Sequence, residues 1–364
     1  MQFSIFFFGA GDVPMPRSRY SLLLDAAKFA DKNGFSAVWT PERHFHEFGA
    51  NFPNPSILTA ALAVITERVQ LRAGSLVVPL HHPVRVAEEW SVCDNLSNGR
   101  VAISAAPGWN ASDFVLNPDC YEDRRELMYR DLDIIRRLWE GEAVEMPGPR
   151  GEGVRVRMYP RPVQPKLPIW VTSAGTSDTW AKAGEIGANV LTHLVRQGVN
   201  GLTEKIRLYR ESFAANHAPR TGTVSLMLHT FVGADLATVR EKVRAPMIEY
   251  LKTASDIFAS GRAGGKPTVE RSVEEVQALL GQAFDRYFES GALLGTPESC
   301  LPLLRQIAEI GVDEVACLID FGLDEASILE ALPHLARLQA LAQSDSKVVA
   351  ARYACASEAT AKSA

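Results

Sequence analysis

Strand-length apolar runs alternate with longer amphipathic segments along most of this chain, and few folds tolerate that pattern. Eight runs carry it: Phe3–Phe8, Ala37–Thr40, Val69–Val77, Val101–Ala105, Ile169–Thr172, Asn189–Thr192, Ser225–Val232 and Glu314–Ile319. Helix-like stretches lie between them, at Tyr20–Asn33, Pro55–Glu67, Val84–Leu96, Arg124–Trp139, Asp178–Ile186, Leu202–Ala215 and Pro297–Ile310. Strands separated by helices return to the same end of a sheet and pair in parallel. Eight of them favour a closed α/β structure, a single (β/α)8 TIM barrel over residues 1–342, rather than an open doubly wound sheet.

Two segments interrupt the repeat and read as rim insertions. Residues 141–168 are rich in Pro, Gly and Arg, and the alternation Val154-Arg155-Val156-Arg157 predicts an exposed hairpin. Residues 255–295 hold a Gly-rich loop and a helix-like Val273–Phe288, the composition of a lid. From 343 to 364 an Ala/Ser/Lys tail lacks apolar periodicity and is expected to be disordered.

Composition narrows the partners. A formal net charge of −5 supplies no basic footprint, which sets aside nucleic acid and anionic membranes. No run of about 18 apolar residues spans a bilayer, and the apolar N-terminus lacks the basic segment of a signal peptide. Five scattered cysteines (93, 120, 300, 317 and 355), none in a CxxC pair, read as reduced thiols of a cytoplasmic protein.

The candidate chemistry clusters after strands, where barrel side chains meet ligands. Behind Ala37–Thr40, the segment Pro41–Gly49 packs Glu42, Arg43, His44, His46 and Glu47 into six residues. His44-x-His46 with His193 and Asp320 resembles a metal cluster of barrel hydrolases, but Pro41 and three more residues separate the pair from its strand. His44 reads instead as a proton-transfer group. His81 and His82, before Pro83, read as loop-closing residues, and His229 as a core or rim histidine. The turn Val171–Trp180 joins a strand to a helix through small hydroxyl residues and Gly175; its backbone N–H groups would suit a phosphate, or Ser177 or Asp178 would simply cap the helix. In Ala106–Phe114, Trp109 and Phe114 could cover a ring system or pack in the core, with Asn110 and Asp113 adding polar contacts.

On these residues the chain resembles the bacterial luciferase-like monooxygenases, flavin-dependent (β/α)8 enzymes. The likeness runs through PERHFHEFG at 41–49, residues 68–90, LSNGR at 96–100 with the APGWN turn, residues 124–139, residues 164–180, and residues 295–322. GWNASDF and LTHL at 191–194 are most similar to the branch associated with natural-product gene clusters. The resemblance implies reduced FMN, supplied by a separate reductase, and oxygenation of a small-molecule or carrier-protein-bound secondary metabolite by a homodimer. It places a non-prolyl cis peptide at Gly74-Ser75 and the phosphate turn at Ser173, Gly175 and Thr176, with Ala106, Trp109, Asn110 and His193 completing the cofactor site. The catalytic candidates beside that cofactor are His44 and Arg43, with no metal expected.

One departure shapes that assignment. Where the luciferases carry their working histidine this chain has Arg43, and His44 matches the histidine that follows. Arginine stays protonated near neutrality and suits holding an anion, which leaves proton transfer to His44. The position of the luciferases' reactive cysteine falls near Ala105 or Ala106, so light emission is not expected. Rival readings are a deazaflavin-dependent oxidoreductase of the same fold, a metal-dependent hydrolase, and a flavin-binding barrel without catalysis.

Overall fold

The computed structural model describes residues 1–9, 18–173, 175–194, 198–260, 273–346 and 348. Its strands are β1 Gln2–Phe6, β2 Ala37–Thr40, β3 Gln70–Val77, β4 Val101–Ala106, β5 Val144–Pro147, β6 Gly153–Val156, β7 Ile169–Thr172, β8 Asn189–His193, β9 Val224–Val232, β10 Leu293–Gly295 and β11 Glu314–Leu318. Eight of them close a parallel barrel in the order β1-β2-β3-β4-β7-β8-β9-β11, with β11 returning to β1. All eight coincide with the apolar runs of the sequence, so the expected TIM barrel is the observed fold.

The helices are α1 Ser21–Lys32, α2 Pro55–Ala63, α3 Pro83–Ser97, α4 Arg124–Glu140, α5 Ser177–Glu185, α6 Val199–His217, α7 Leu236–Ser260, α8 Val273–Ser290, α9 Pro297–Glu309 and α10 Glu325–Ser344. Helix α3 starts at Pro83, whose missing N–H is no loss in a first turn. Helix α2 stops four residues before the expected Glu67. Asp31 accepts the N–H groups of Glu67, Arg68 and Val69, which draws the chain off the helix and into β3.

The hairpin expected in 141–168 is the antiparallel pair β5–β6. Within 255–295, α7 continues to Ser260, α8 occupies the helix-like stretch and β10 adds to β9 outside the closed ring. The Gly-rich loop read as a lid, 261–272, lies outside the described residues. Of the expected tail, Gln343 and Ser344 end α10 and Val348 is buried, while residues 349–364 lie outside the described ones. Cys93, Cys120, Cys300 and Cys317 are free thiols, and Cys355 is not described.

The barrel interior is filled from the floor upward. Glu314, at the start of β11, accepts from Arg72 (2.7 Å), Ser225 (2.6 Å) and Ser36 (2.6 Å). The Arg72 guanidinium lies over Trp39 and Trp170, at 4.7 and 4.3 Å, and the two indoles meet edge to face. Above them Gly74 leaves no room for a side chain: a Cβ there would stand 2.8 Å from the Phe6 ring and 3.0 Å from the Trp39 ring. These large groups seal the lower barrel, so a ligand has access only at the C-terminal ends of the strands.

Candidate active site

The segment after β2 supplies the centre of the mouth. Glu42 is buried and its carboxylate is fully occupied: Oε1 meets Nε2 of His44 at 3.0 Å and Nε2 of His81 at 2.6 Å, and Oε2 accepts the Val77 N–H at 2.6 Å. Burial alone would raise its proton affinity. The two imidazoles and the Val77 N–H outweigh burial and hold the carboxyl below its ordinary range. A carboxylate oxygen only accepts, so His44 presents Nε2–H to it and keeps the lone pair on Nδ1. No hydrogen bond to that Nδ1 is found among the described residues.

His81, expected only to close a loop, is thus part of this network. Burial opposes its charged form, but the hydrogen bond and charge of Glu42, with Glu89 nearby, raise its proton affinity. His46 goes elsewhere: its Nδ1 accepts the Phe48 N–H at 3.0 Å. Phe45 between the two histidines is left-handed, at φ 53°, which breaks the alternation a metal pair would need. Among the described residues no group of three or more His, Cys, Asp or Glu side chains is arranged to hold a metal ion.

Arg43 is anchored through its own N–H to the Phe52 carbonyl at 2.9 Å. Its guanidinium lies over Phe8 (4.9 Å), Phe48 (5.3 Å) and Trp109 (5.4 Å). Gly49, at φ +88°, makes room for it, because a Cβ there would come within 2.6 Å of the arginine Cγ. Burial lowers the proton affinity of Arg43, while Tyr250 and Asp113 oppose that effect. Trp109 is an exposed rim residue rather than part of the core. Asn110 starts a short helical turn and donates to Asp113 at 2.7 Å, so its side chain faces its own loop.

The end of β3 ties this cluster to the strand–helix turn. Gly74-Ser75 is a non-prolyl cis peptide, as the family resemblance implied. Ser75 bonds the Thr172 hydroxyl at 2.5 Å and Ser104 bonds the same hydroxyl at 2.7 Å. Thr172 leads directly into Ser173, whose hydroxyl is buried and has no hydrogen-bond partner among the described residues. Gly175 stands in open space, and Thr176 is the N-cap of α5 without a side-chain cap bond, its hydroxyl meeting Thr179 at 2.7 Å. Neither Ser177 nor Asp178 is the N-cap. An uncapped helix start beside an unpartnered buried hydroxyl suits the phosphate of a flavin nucleotide. Ala106 ends β4 opposite Val77.

Register alone reveals a further histidine at this end of the barrel. His229 pairs with Leu318, the last residue of β11. It is fully buried, bonded to the Tyr287 hydroxyl at 2.8 Å and packed edge-on against Tyr250 at 4.4 Å. Burial, with His193 at the end of β8 adding to it, lowers its pKa to about 3 and keeps it neutral. Asp320, just beyond β11, accepts the Phe8 and Gly9 N–H groups at 2.8 and 2.7 Å, and burial pushes its pKa up to about 7.

A family model described as luciferase-like monooxygenase matches residues 1–314. The chain belongs to the luciferase-like monooxygenase family. It is 26% identical over 332 residues to the oxygenase component of the flavin-dependent trigonelline monooxygenase of Acinetobacter baylyi, covering 89% of this chain and 90% of that one. Among solved structures, a Streptomyces bottropensis monooxygenase superposes with a TM-score of 0.75 at 23% identity, over 94% of this chain and 99% of the other. The oxygenating constituent of Pseudomonas putida 3,6-diketocamphane monooxygenase, in complex with FMN, superposes with a TM-score of 0.71 at 17% identity, over 93% and 97%. These two superpositions are likenesses of fold. No helix among the described residues is long and apolar enough to cross a membrane.

Proposed function

We propose that this luciferase-like protein is a cytoplasmic, two-component monooxygenase that takes reduced FMN from a separate reductase and oxygenates a secondary-metabolite intermediate. The observation that carries the reading is the continuous link along β3, from the Ser173 turn through Ser75 to Gly74 and on through Val77 to Glu42 and His44. It joins the Ser173 turn to the Glu42–His44 pair through one strand, which supports reading the two as parts of a single site. Reduced flavin, when bound, supplies electrons to dioxygen; the chain supplies orientation, exclusion of water and proton handling.

Within this reading each candidate residue has a task. Ser173, Gly175 and Thr176, with the start of α5, hold the phosphate. Gly74 and Ser75 lie against the ring, and Ala106, Trp109, Asn110 and His193 line its surroundings. His44, with Nε2–H fixed on Glu42, accepts a proton at Nδ1 and returns it later. Arg43 holds a developing or resident anion beside it. The trigonelline enzyme's description as an oxygenase component supports a partner reductase, and the FMN complex of the camphane enzyme supports the cofactor. A homodimer belongs to this reading, as the family resemblance implied.

The test is an anaerobic titration with reduced FMN or reduced deazaflavin, followed by admission of dioxygen. Tight FMN binding and dioxygen consumption support the proposal, and activity with reduced deazaflavin alone would sink it. Thr176→Ala should weaken FMN binding by about 1–2 kcal/mol, the loss of one hydrogen bond to a charged group.

A further inference from the structure

The proposed chemistry gives His44 a proton to move and leaves His81 without a task, although the two rings share one oxygen atom. His81 follows the short helical turn Val78–Leu80, and only His82 separates it from α3. Its Nε2 lies 2.6 Å from Glu42 Oε1, and the same oxygen lies 3.0 Å from His44 Nε2. The Val77 N–H pins Oε2, so the carboxylate cannot turn to serve one imidazole alone. Two imidazoles therefore compete for a single negative charge.

The surroundings decide which ring keeps the proton. The His81 side chain is 29% exposed and that of His44 is 10%, so a cation on His81 retains more hydration. Glu89 on α3 adds attraction from the His81 side, itself held by Arg85 and Ser56. On the His44 side stands Asp113, which attracts a cation and is shared with Arg43.

We propose that His81 is a positioning residue for His44: it holds the proton that Glu42 draws to the pair, and so keeps His44 neutral with Nδ1 open to accept one. The inference rests on the reading of His44 as the proton-transfer group. It has a consequence that simple packing would not. Without a charge at position 81, Glu42 faces His44 as an uncompensated anion, and an opposite charge at such range raises proton affinity by about 1–3 pH units.

The test is an NMR titration of the full-length protein with labelled histidine, without flavin or substrate. His81→Gln keeps a donor but no charge, and the His44 midpoint should rise by about one pH unit. His81→Lys restores a cation and should bring the midpoint back. An unmoved His44 midpoint in His81→Gln, or equal shifts in the Gln and Lys variants, would overturn the proposal. Should His81→Gln fail to fold, Glu89→Gln serves: the His81 midpoint should fall and that of His44 rise, and two unmoved midpoints would overturn it equally. Because the readout needs no flavin, it stands apart from turnover. Full turnover in His44→Ala would refute the proposed function while leaving the measured coupling intact.

Discussion

Glu314 at the floor of the barrel and Glu42 at its mouth are both buried carboxylates with three donors each, yet their counter-charges differ in kind. Glu314 is matched by Arg72, whose guanidinium lies against two indoles. Glu42 is matched by two imidazoles. In both, burial raises proton affinity and the donors more than reverse it. Arginine keeps its proton at any pH the fold survives, whereas imidazole exchanges one near neutrality. The same residue type therefore does opposite work: the floor fixes a charge pattern for stability, and the mouth keeps a proton in play.

The largest expected effect breaks the floor. Arg72→Met leaves Glu314 buried and uncompensated, which should cost about 3–5 kcal/mol in chemical denaturation. Replacing both partners by apolar residues should recover much of that loss, since a buried pair is weak support when compared with good packing. If His81→Gln at the mouth proved as costly as Arg72→Met, the two ends would not differ as argued.

The next effect breaks the mouth and spares the fold. Glu42→Gln keeps an oxygen for the Val77 N–H but removes the charge that orients His44. Turnover should fall at least about a hundredfold, the lower range for general acid–base catalysis. Stability should fall by only about 1–3 kcal/mol, the loss at a buried polar site. Steady-state kinetics beside a urea melt separates the two. A variant that loses stability while keeping turnover would place Glu42 with Glu314 as a structural acid.

Much of this comparison was legible before any coordinates, and the rest could not have been. Barrel strands buried on both faces make near-continuous apolar runs, so all eight could be read from the chain. Pro41–Gly49 and Val171–Trp180 were legible for the same reason, as polar residues placed directly after such runs. His81 was not, because its partner lies 39 residues away and only the closure of β2 against β3 brings them together. His229 was hidden inside a buried strand, where only its register with β11 shows that it stands at the mouth. Helix α2 outran its true end because the competing bonds come from Asp31, on another helix.

The smallest effect is the pH dependence of stability, where the two ends should diverge in direction. Glu314 and Glu42 have folded pKa values below the ordinary 4.5, so their contribution is present above that value and is lost as pH falls through the lowered ones. His81 is shifted upward from 6.5, so its contribution is complete below 6.5 and is lost as pH rises through the raised value. Asp320, raised from 3.8 to about 7 by burial, follows the histidine rather than the glutamates: its contribution is complete below 3.8 and is lost as pH rises to about 7. Below 4.5 the two glutamates lose their contributions together. On the alkaline side only the mouth weakens, since the floor's counter-charge is an arginine rather than an imidazole. Thermal melts should therefore show Tm falling by about 1–2 °C as pH rises from 6.5, a small fraction of the total stability. His81→Gln should flatten the histidine part of that fall and leave the acid limb in place. An acid limb that vanished with His81 would mean that the floor carboxylate is not the fixed partner its arginine makes it.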